Sequence, residues 1–114
     1  MGGLNWSAHY FFVHSIKLTA MLIQHKEEGH KGSFFIEEDE KQLAEMTYSL
    51  SGQDTMIIDH TEVDEILKGK NVGNQLLNQA VEYARTNNLM IFPLCPFASA
   101  VFKKRHEEFK DVLK

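Results

Sequence analysis

Hydrophobic and polar positions follow two different periods along this chain. From Met21 onward, short apolar runs rich in β-forming residues are separated by three turn segments: residues 29–32, 39–41 and 51–54. Such spacing predicts strands joined by tight turns, here MLIQHKEE (21–28), SFFIEE (33–38), QLAEMTYSL (42–50) and TMIIDHTEV (55–63). The first half of the chain is therefore predicted to be an antiparallel meander of four strands.

The period changes beyond residue 67. Apolar residues then recur four apart at Val72, Leu76, Ala80 and Ala84, which predicts a helix of about four turns. The pair Asn87-Asn88 predicts its end. LMIFPL (89–94) predicts a central strand, and residues 97–109 predict a second helical region. The fold class is thus α/β (α+β), with the order β-β-β-β-α-β-α and a mainly antiparallel sheet.

Composition narrows the class of protein. With 114 residues and 43% hydrophobic residues, the chain has the size and core of one domain. A net charge of −4 argues against nucleic acid as a partner. The single Cys95 excludes an internal disulfide and favours a reducing, cytoplasmic setting. The six histidines show no metal-binding spacing, so no metal is predicted.

Residues 1–20 differ in character from the remainder. They contain an apolar aromatic patch at 10–13, but it is far shorter than the ~20 residues of a membrane span and lacks the basic start of a secretory signal. We interpret residues 1–20 as an N-terminal extension, either non-native or an extra strand, and residues 21–114 as the domain. No membrane association is predicted.

The stretch LKGKNVGNQLL (67–77) leads directly into the first predicted helix. Gly69 and Gly73 remove side chains near the helix N-terminus, and Lys68 and Lys70 add positive charge. Such a loop suits an anion, because a helix N-terminus offers unpaired N–H groups and a partial positive charge. A plain polar turn explains the same residues equally well, and the order is not that of a P-loop.

The strand 55–63 followed by KGKNVG (68–73) resembles motif A of the GNAT acetyltransferase superfamily, [QR]-x-x-G-x-[GA]. HTEV (60–63), PLCPF (93–97) and RHEEF (105–109) are similar to motifs of small single-domain GNAT-like proteins. Lys68 replaces the usual Arg or Gln, Asn71 replaces a Gly, and Glu107 stands where Pro is typical. Asn is the residue that best substitutes for Gly at positive φ.

This resemblance implies a fold, a cofactor and an activity. The cofactor would be acetyl-coenzyme A, with its pyrophosphate on the backbone of the loop and its pantetheine arm beside Thr61 to Val63. The loop residues that would contribute are Lys68, Gly69, Lys70, Asn71, Val72, Gly73 and Asn74. Lys103, Lys104 and Arg105 would either reach the 3′-phosphate or form a solvated helix face.

The implied activity is acetyl transfer to an amine on a small molecule or a protein, directly or through a Cys thioester. One alternative is a domain that binds coenzyme A or acyl-coenzyme A without turnover, an idea motivated by Asn71. A second is a scaffold that associates through the aromatic patch at the N-terminus. The chain is expected to be a monomer or a weak dimer.

Three side chains are candidates for catalysis. Cys95 lies between two prolines before the second predicted helix, a position that favours a thiolate, although free cysteines are more often small core residues. The resemblance places this cysteine near the acetyl group. His60 and Glu62 share one strand face and are candidate bases, or else a hydrogen-bonded histidine at a strand end and a solvated carboxylate.

Overall fold

The structure is a computed structural model that describes residues 22–114. It contains one five-stranded sheet in the order β1-β2-β3-β4-β5. The first four strands form the predicted antiparallel meander, and β5 lies parallel to β4. The strands are β1 Gln24–Glu28, β2 Lys31–Glu38, β3 Lys41–Ser51, β4 Thr55–Val63 and β5 Met90–Pro93. The predicted extension, residues 1–20, lies outside the described residues.

A bulge explains why the apolar positions of β3 alternate imperfectly. Ile36 pairs with Ala44 and Glu37 pairs with Gln42, so Leu43 is an extra residue on its strand. Beyond the bulge, Ala44, Met46 and Tyr48 are all buried on one face. The alternation of buried and exposed side chains shifts by one residue at Leu43 because the extra residue shifts the strand register there.

Three helices follow the meander: α1 Val72–Thr86, α2 Pro96–Lys104 and α3 His106–Phe109. A 3₁₀ turn, Glu65–Leu67, precedes α1. The predicted stripe of α1 is confirmed, since Val72, Leu76, Leu77, Ala80, Val81 and Ala84 are its buried residues.

The helical region predicted for residues 97–109 is divided into two helices, α2 and α3. The chain leaves the helical conformation at Arg105, where φ is −110° and ψ is 36°. The Arg105 guanidinium binds Glu108 and Asn74. The break lets the Phe109 ring pack 5.2 Å from the Phe102 ring. Beyond it, Val112 and Lys114 hydrogen-bond to the backbone of Ile91 at the outer side of β5.

The two faces of the sheet differ. On one face, which we call the helical face, Tyr83 of α1 contacts the rings of Phe34 and Tyr48 at 6.0 and 5.7 Å. Cross-strand pairing puts Ser33, Thr47 and His60 on the other face, which we call the open face. None of the helices in residues 22–114 has the length and apolarity needed to cross a membrane.

Candidate active site

β4 and β5 pair along only half of β4. The parallel register runs from Thr55 with Met90 to Ile58 with Pro93. The Ile58 carbonyl then accepts hydrogen bonds from both Leu94 and Cys95 N–H groups, at 3.1 Å each. Among the described residues, no strand pairs with 59–63 on that side, and we call the space beside them the β4 gap. An extended ligand could bind the free backbone of β4 there.

The loop before α1 has the backbone that the sequence suggested. Asn71 is left-handed, with φ 61° and ψ 29°, so the prediction that Asn replaces Gly at positive φ is confirmed. Gly69 has φ 83°, and a Cβ there would meet only open space. Gln75 Nε2 donates to the Lys70 carbonyl at 3.1 Å and ties the loop to the helix. The loop is thus held by its own polar contacts.

The first turn of α1 is not capped by the side chain of its N-cap residue. Asn71 Oδ1 accepts instead from the Asn74 side-chain amide at 3.0 Å. The 3₁₀ turn and α2 differ in this respect, because Asp64 and Cys95 accept from their first backbone N–H groups. An uncapped first turn keeps its N–H groups and its partial positive charge available to an external anion.

Gly73 has a packing role. A Cβ at this position would lie 2.6 Å from Cζ of Phe97, so the ring of Phe97 occupies the space that a side chain would need. Phe97 is the second residue of α2 and follows Cys95 by two positions. This contact brings the N-termini of α1 and α2 together, and with them the loop and the cysteine.

Cys95 caps α2 and is 5% exposed. Its sulfur accepts from the Ala98 backbone N–H at 3.4 Å and lies 3.4 Å from the Thr61 hydroxyl. Thr61 pairs with Met46 across the sheet, so this contact is on the helical face at the edge of the β4 gap. The structure therefore brings together Cys95 and the strand that was predicted to hold the pantetheine arm.

His60 and Glu62 lie on the open face. His60 Nε2 is 3.2 Å from Glu62 Oε2, and their side chains are 63% and 71% exposed. Because Thr61 alternates between them, these two side chains project away from the Cys95 side of the sheet. An amine acceptor on the open face would meet this pair, whereas a group near Cys95 would not.

A cleft of about 580 Å³ adjoins the loop on the helical face. It is lined by Asn71, Asn74, Asn78, Phe97, Ala100, Val101, Lys104 and Arg105. Arg105 is held by Asn74 at 3.1 Å, and its guanidinium lies 4.4 Å from the centroid of Phe109. Hydrogen bonding to Glu108 raises the pKa of Arg105, so the Arg105 side chain contributes a permanent positive charge to the lining of this cleft. Lys103, in contrast, does not line this cleft.

Two features of the site were missed at the level of sequence. Thr61 was given a backbone role only, with no role for its hydroxyl, and the Asn74–Arg105 contact was not anticipated. Because successive side chains of a strand alternate between its two faces, Thr61 projects from the face that His60 does not use. Sequence alternation could therefore have placed the Thr61 hydroxyl on the face of the buried residues. The Asn74–Arg105 contact joins residues 31 positions apart and leaves no local signal.

A sequence model described as GCN5-related N-acetyl-transferase matches residues 33–112. The fold is similar to the solution structure of a GCN5-like N-acetyltransferase candidate from Staphylococcus aureus, with 37% identity and a TM-score of 0.63. That match covers 80% of this chain and 87% of the other. No curated protein sequence matches the chain significantly.

Two more distant structures share the fold. One is the ribosomal-protein-alanine N-acetyltransferase of Brucella melitensis biovar Abortus 2308, with 12% identity, a TM-score of 0.52, and coverage of 68% of this chain and 64% of the other. The other is AAC(6′)-Iy in complex with the bisubstrate analogue CoA-S-monomethyl-acetylneamine. It has 12% identity, a TM-score of 0.50, and coverage of 91% and 71%.

Proposed function

Because this chain belongs to the GCN5-related N-acetyltransferase family, we propose that it moves an acetyl group from acetyl-coenzyme A to an amine acceptor. The observation that carries the cofactor assignment is the uncapped N-terminus of α1, with Asn71 in the left-handed conformation, beside the half-unpaired strand β4. The distant fold relative AAC(6′)-Iy holds a coenzyme A bisubstrate analogue, which supports the same cofactor class.

The cofactor would lie along the helical face. Its pyrophosphate would accept from the first backbone N–H groups of α1, with Lys68 and Lys70 adding charge. Its nucleotide would occupy the cleft that Lys104 and Arg105 line. Its pantetheine arm would pair with the free edge of β4 near Thr61 and Val63, so that the thioester would reach the β4 gap near Cys95.

Two routes are chemically open at this position. In direct transfer, the free amine attacks the thioester carbonyl, the C–S bond breaks, and the proton released by nitrogen goes to His60, which passes it to the departing coenzyme A thiolate. In the relay, the Cys95 sulfur attacks the thioester carbonyl first, the bond to the coenzyme A sulfur breaks, and coenzyme A leaves with the proton that the Cys95 thiol gives up. The amine then attacks the resulting acyl-cysteine, its C–S bond breaks, and the Cys95 sulfur leaves and takes the proton released by nitrogen. The relay is supported by the position of Cys95, and the direct route by the exposed His60 as proton acceptor.

The structure removes the observation that motivated the alternative of a domain that binds coenzyme A without turnover. That idea rested on Asn71 in place of Gly, and Asn71 takes the left-handed conformation that the loop requires. The alternative of a scaffold rested on the N-terminal aromatic residues Trp6, Tyr10, Phe11 and Phe12, which lie outside the described residues. For the protein itself we propose a cytoplasmic, reducing setting, a monomeric or weakly dimeric state, and no nucleic-acid partner.

The test of the cofactor site is a calorimetric titration of acetyl-coenzyme A into the wild type and into Asn71→Asp. Gly73 is unsuitable for this purpose, since any side chain there meets Phe97. Asp tolerates the left-handed conformation and an acidic residue is favourable at a helix N-terminus, so the variant should fold. We expect a loss of affinity of at least about tenfold, because the new carboxylate faces the pyrophosphate.

Asn88→Asp is the matched control. Asn88 is also left-handed, with φ 57°, but it lies beyond the opposite end of α1. It should bind acetyl-coenzyme A like the wild type. The proposal is wrong if the wild type gives no heat at millimolar cofactor, or if Asn71→Asp and Asn88→Asp bind equally well.

A further inference from the structure

The open face contains a cavity of about 540 Å³ that the proposed reaction does not yet use. It is lined by Lys26, Glu27, Glu28, Lys31, Gly32, Ser33, Glu45, Thr47, Tyr48 and Asp59. Lys26, Ser33 and Thr47 form one cross-strand row on this face, remote from α1 and α2. A cavity of this volume is in the range of small-molecule sites.

The charges around this cavity do not balance. Four carboxylates (Glu27, Glu28, Glu45, Asp59) face two lysines (Lys26, Lys31). Among residues 22–114, neither lysine makes a salt bridge to any of these carboxylates, and Lys26 lies instead 5.1 Å from the centroid of the Phe35 ring. The excess negative charge favours a cationic occupant.

A second observation also points to a ligand. Ser33 lines the same cavity, is 2% exposed, and its hydroxyl oxygen has no hydrogen-bond partner among the described residues. A buried hydroxyl without a partner destabilises the folded state. Most such groups in proteins are satisfied, and an amine ligand in the cavity would supply a donor.

The cavity adjoins the proposed reaction site. Across the sheet, Glu45 pairs with Glu62 and Thr47 pairs with His60. Asp59, held by a 2.6 Å hydrogen bond from Ser49, is the bulged residue immediately before His60. A ligand in the cavity would therefore extend past the His60–Glu62 pair to the β4 gap, where the thioester would lie.

We propose that this cavity is the acceptor subsite, and that the acceptor is a small aliphatic molecule with two or more amino groups. One ammonium binds Glu45 and Asp59 while a second amine, deprotonated, reaches the thioester from the open face. The lone pair of that amine attacks the thioester carbonyl, the C–S bond breaks, coenzyme A leaves as the thiolate, and the proton released by nitrogen goes to His60, as in direct transfer. The inference rests on the proposed acetyl transfer.

The test compares 1,6-diaminohexane with hexylamine, which differ only in the second amino group. We expect kcat/KM for acetyl transfer to be about two- to fivefold higher for the diamine, the ratio that one well-placed ion pair supplies. The double variant Glu45→Gln, Asp59→Asn should abolish this preference, and Glu40→Gln, an exposed hairpin carboxylate, should keep it. Equal kcat/KM values for the two amines overturn the inference and leave the acetyltransferase proposal standing.

A binding measurement separates failure of the inference from failure of the proposed function. Without cofactor, 1,6-diaminohexane should shift the amide NMR signals of Ser33, Glu45 and Thr47 in a salt-sensitive way, and hexylamine should shift them less. These shifts without any transfer would uphold the cavity and overturn the acetyltransferase proposal. Transfer to a lysine-containing peptide, with no shifts from the diamine, would overturn the small-molecule acceptor.

Discussion

The Cys95 sulfur lies 3.4 Å from the Thr61 hydroxyl, at the point where β4 loses its parallel partner. The same sulfur accepts from the first turn of α2, so one side chain joins the helix N-terminus to the open edge of the sheet. His60 and Glu62, the neighbours of Thr61, project to the other face. The proposed donor and acceptor sides of the reaction are therefore separated by a single strand.

The first prediction concerns Cys95→Ala. If the acetyl group passes through Cys95, kcat falls by about 10²–10⁴-fold, the usual contribution of a positioned group that acts in the chemical step. Intact-mass measurement after mixing the wild type with acetyl-coenzyme A should show one added acetyl group, absent from the variant. Thr61→Val is the comparison, since it keeps the thiol and removes its hydroxyl neighbour, and it should retain most of the activity. A Cys95→Ala variant with near wild-type kcat would make Cys95 a core residue only.

The second prediction concerns Gly73→Ala. Its new Cβ would lie 2.6 Å from Phe97 Cζ, closer than real side chains approach. We expect the free energy of unfolding in urea to fall by about 1–3 kcal/mol, as for other overpacked sites. Phe97→Leu in the same chain should restore part of that loss, because the shorter side chain vacates the space. If Gly73→Ala is as stable as the wild type, the contact between the two helix N-termini is not tight.

Much of the fold could be predicted because its signals are local. Short apolar runs separated by turn residues identified β1 to β4, and the stripe from Val72 to Ala84 identified α1. Asn71 could be placed at positive φ because it stands where the resembled motif has a Gly, and Asn is the residue that best replaces Gly at positive φ. The break at Arg105 could not be predicted, since it accompanies contacts with Asn74 and with the core that lie far away in sequence.

The candidate site follows the same division. The loop 68–74 and Cys95 were identified from motifs. A motif does not show from which face of a strand a side chain projects when a bulge interrupts the strand. The β3–β4 register shifts between Thr47 and Tyr48, which makes Asp59 the extra residue of β4. Only the three-dimensional pairing shows that Cys95 and the His60–Glu62 pair are on opposite sides.

The third prediction concerns the hydrogen bond between His25 Nε2 and the Tyr48 hydroxyl, 2.7 Å long. The pKa of Tyr48 is raised, chiefly by burial, so the hydroxyl stays protonated. Tyr48→Phe should lower the free energy of unfolding by about 1 kcal/mol, the typical net value of one such bond. In a double-mutant cycle with His25→Leu, the two losses should be less than additive. Strict additivity would mean that the bond contributes nothing.

The fourth prediction concerns pH and the C-terminal segment. Arg85 Nε and Nη2 donate to the two carboxylate oxygens of Asp111, each at 2.9 Å. These hydrogen bonds hold the pKa of Asp111 below its ordinary value of 3.8. Hydrogen bonding from Arg105 lowers the pKa of Glu108 from 4.5 in the same way. Both carboxyls bind protons more readily in the unfolded chain, so their contribution is full above the ordinary pKa and is lost as the pH falls through the lowered one.

Asp111→Asn should therefore unfold at a lower temperature than the wild type near neutral pH, and the difference should disappear once the pH is below the lowered pKa of Asp111. Arg85→Lys is the informative companion, because it keeps the positive charge and loses the two-pronged geometry. It should fall between Asp111→Asn and the wild type if geometry matters as well as charge. Melting temperatures of the wild type and Asp111→Asn that differ by the same amount at every pH would show that the carboxylate charge is not what joins α1 to the C-terminal segment.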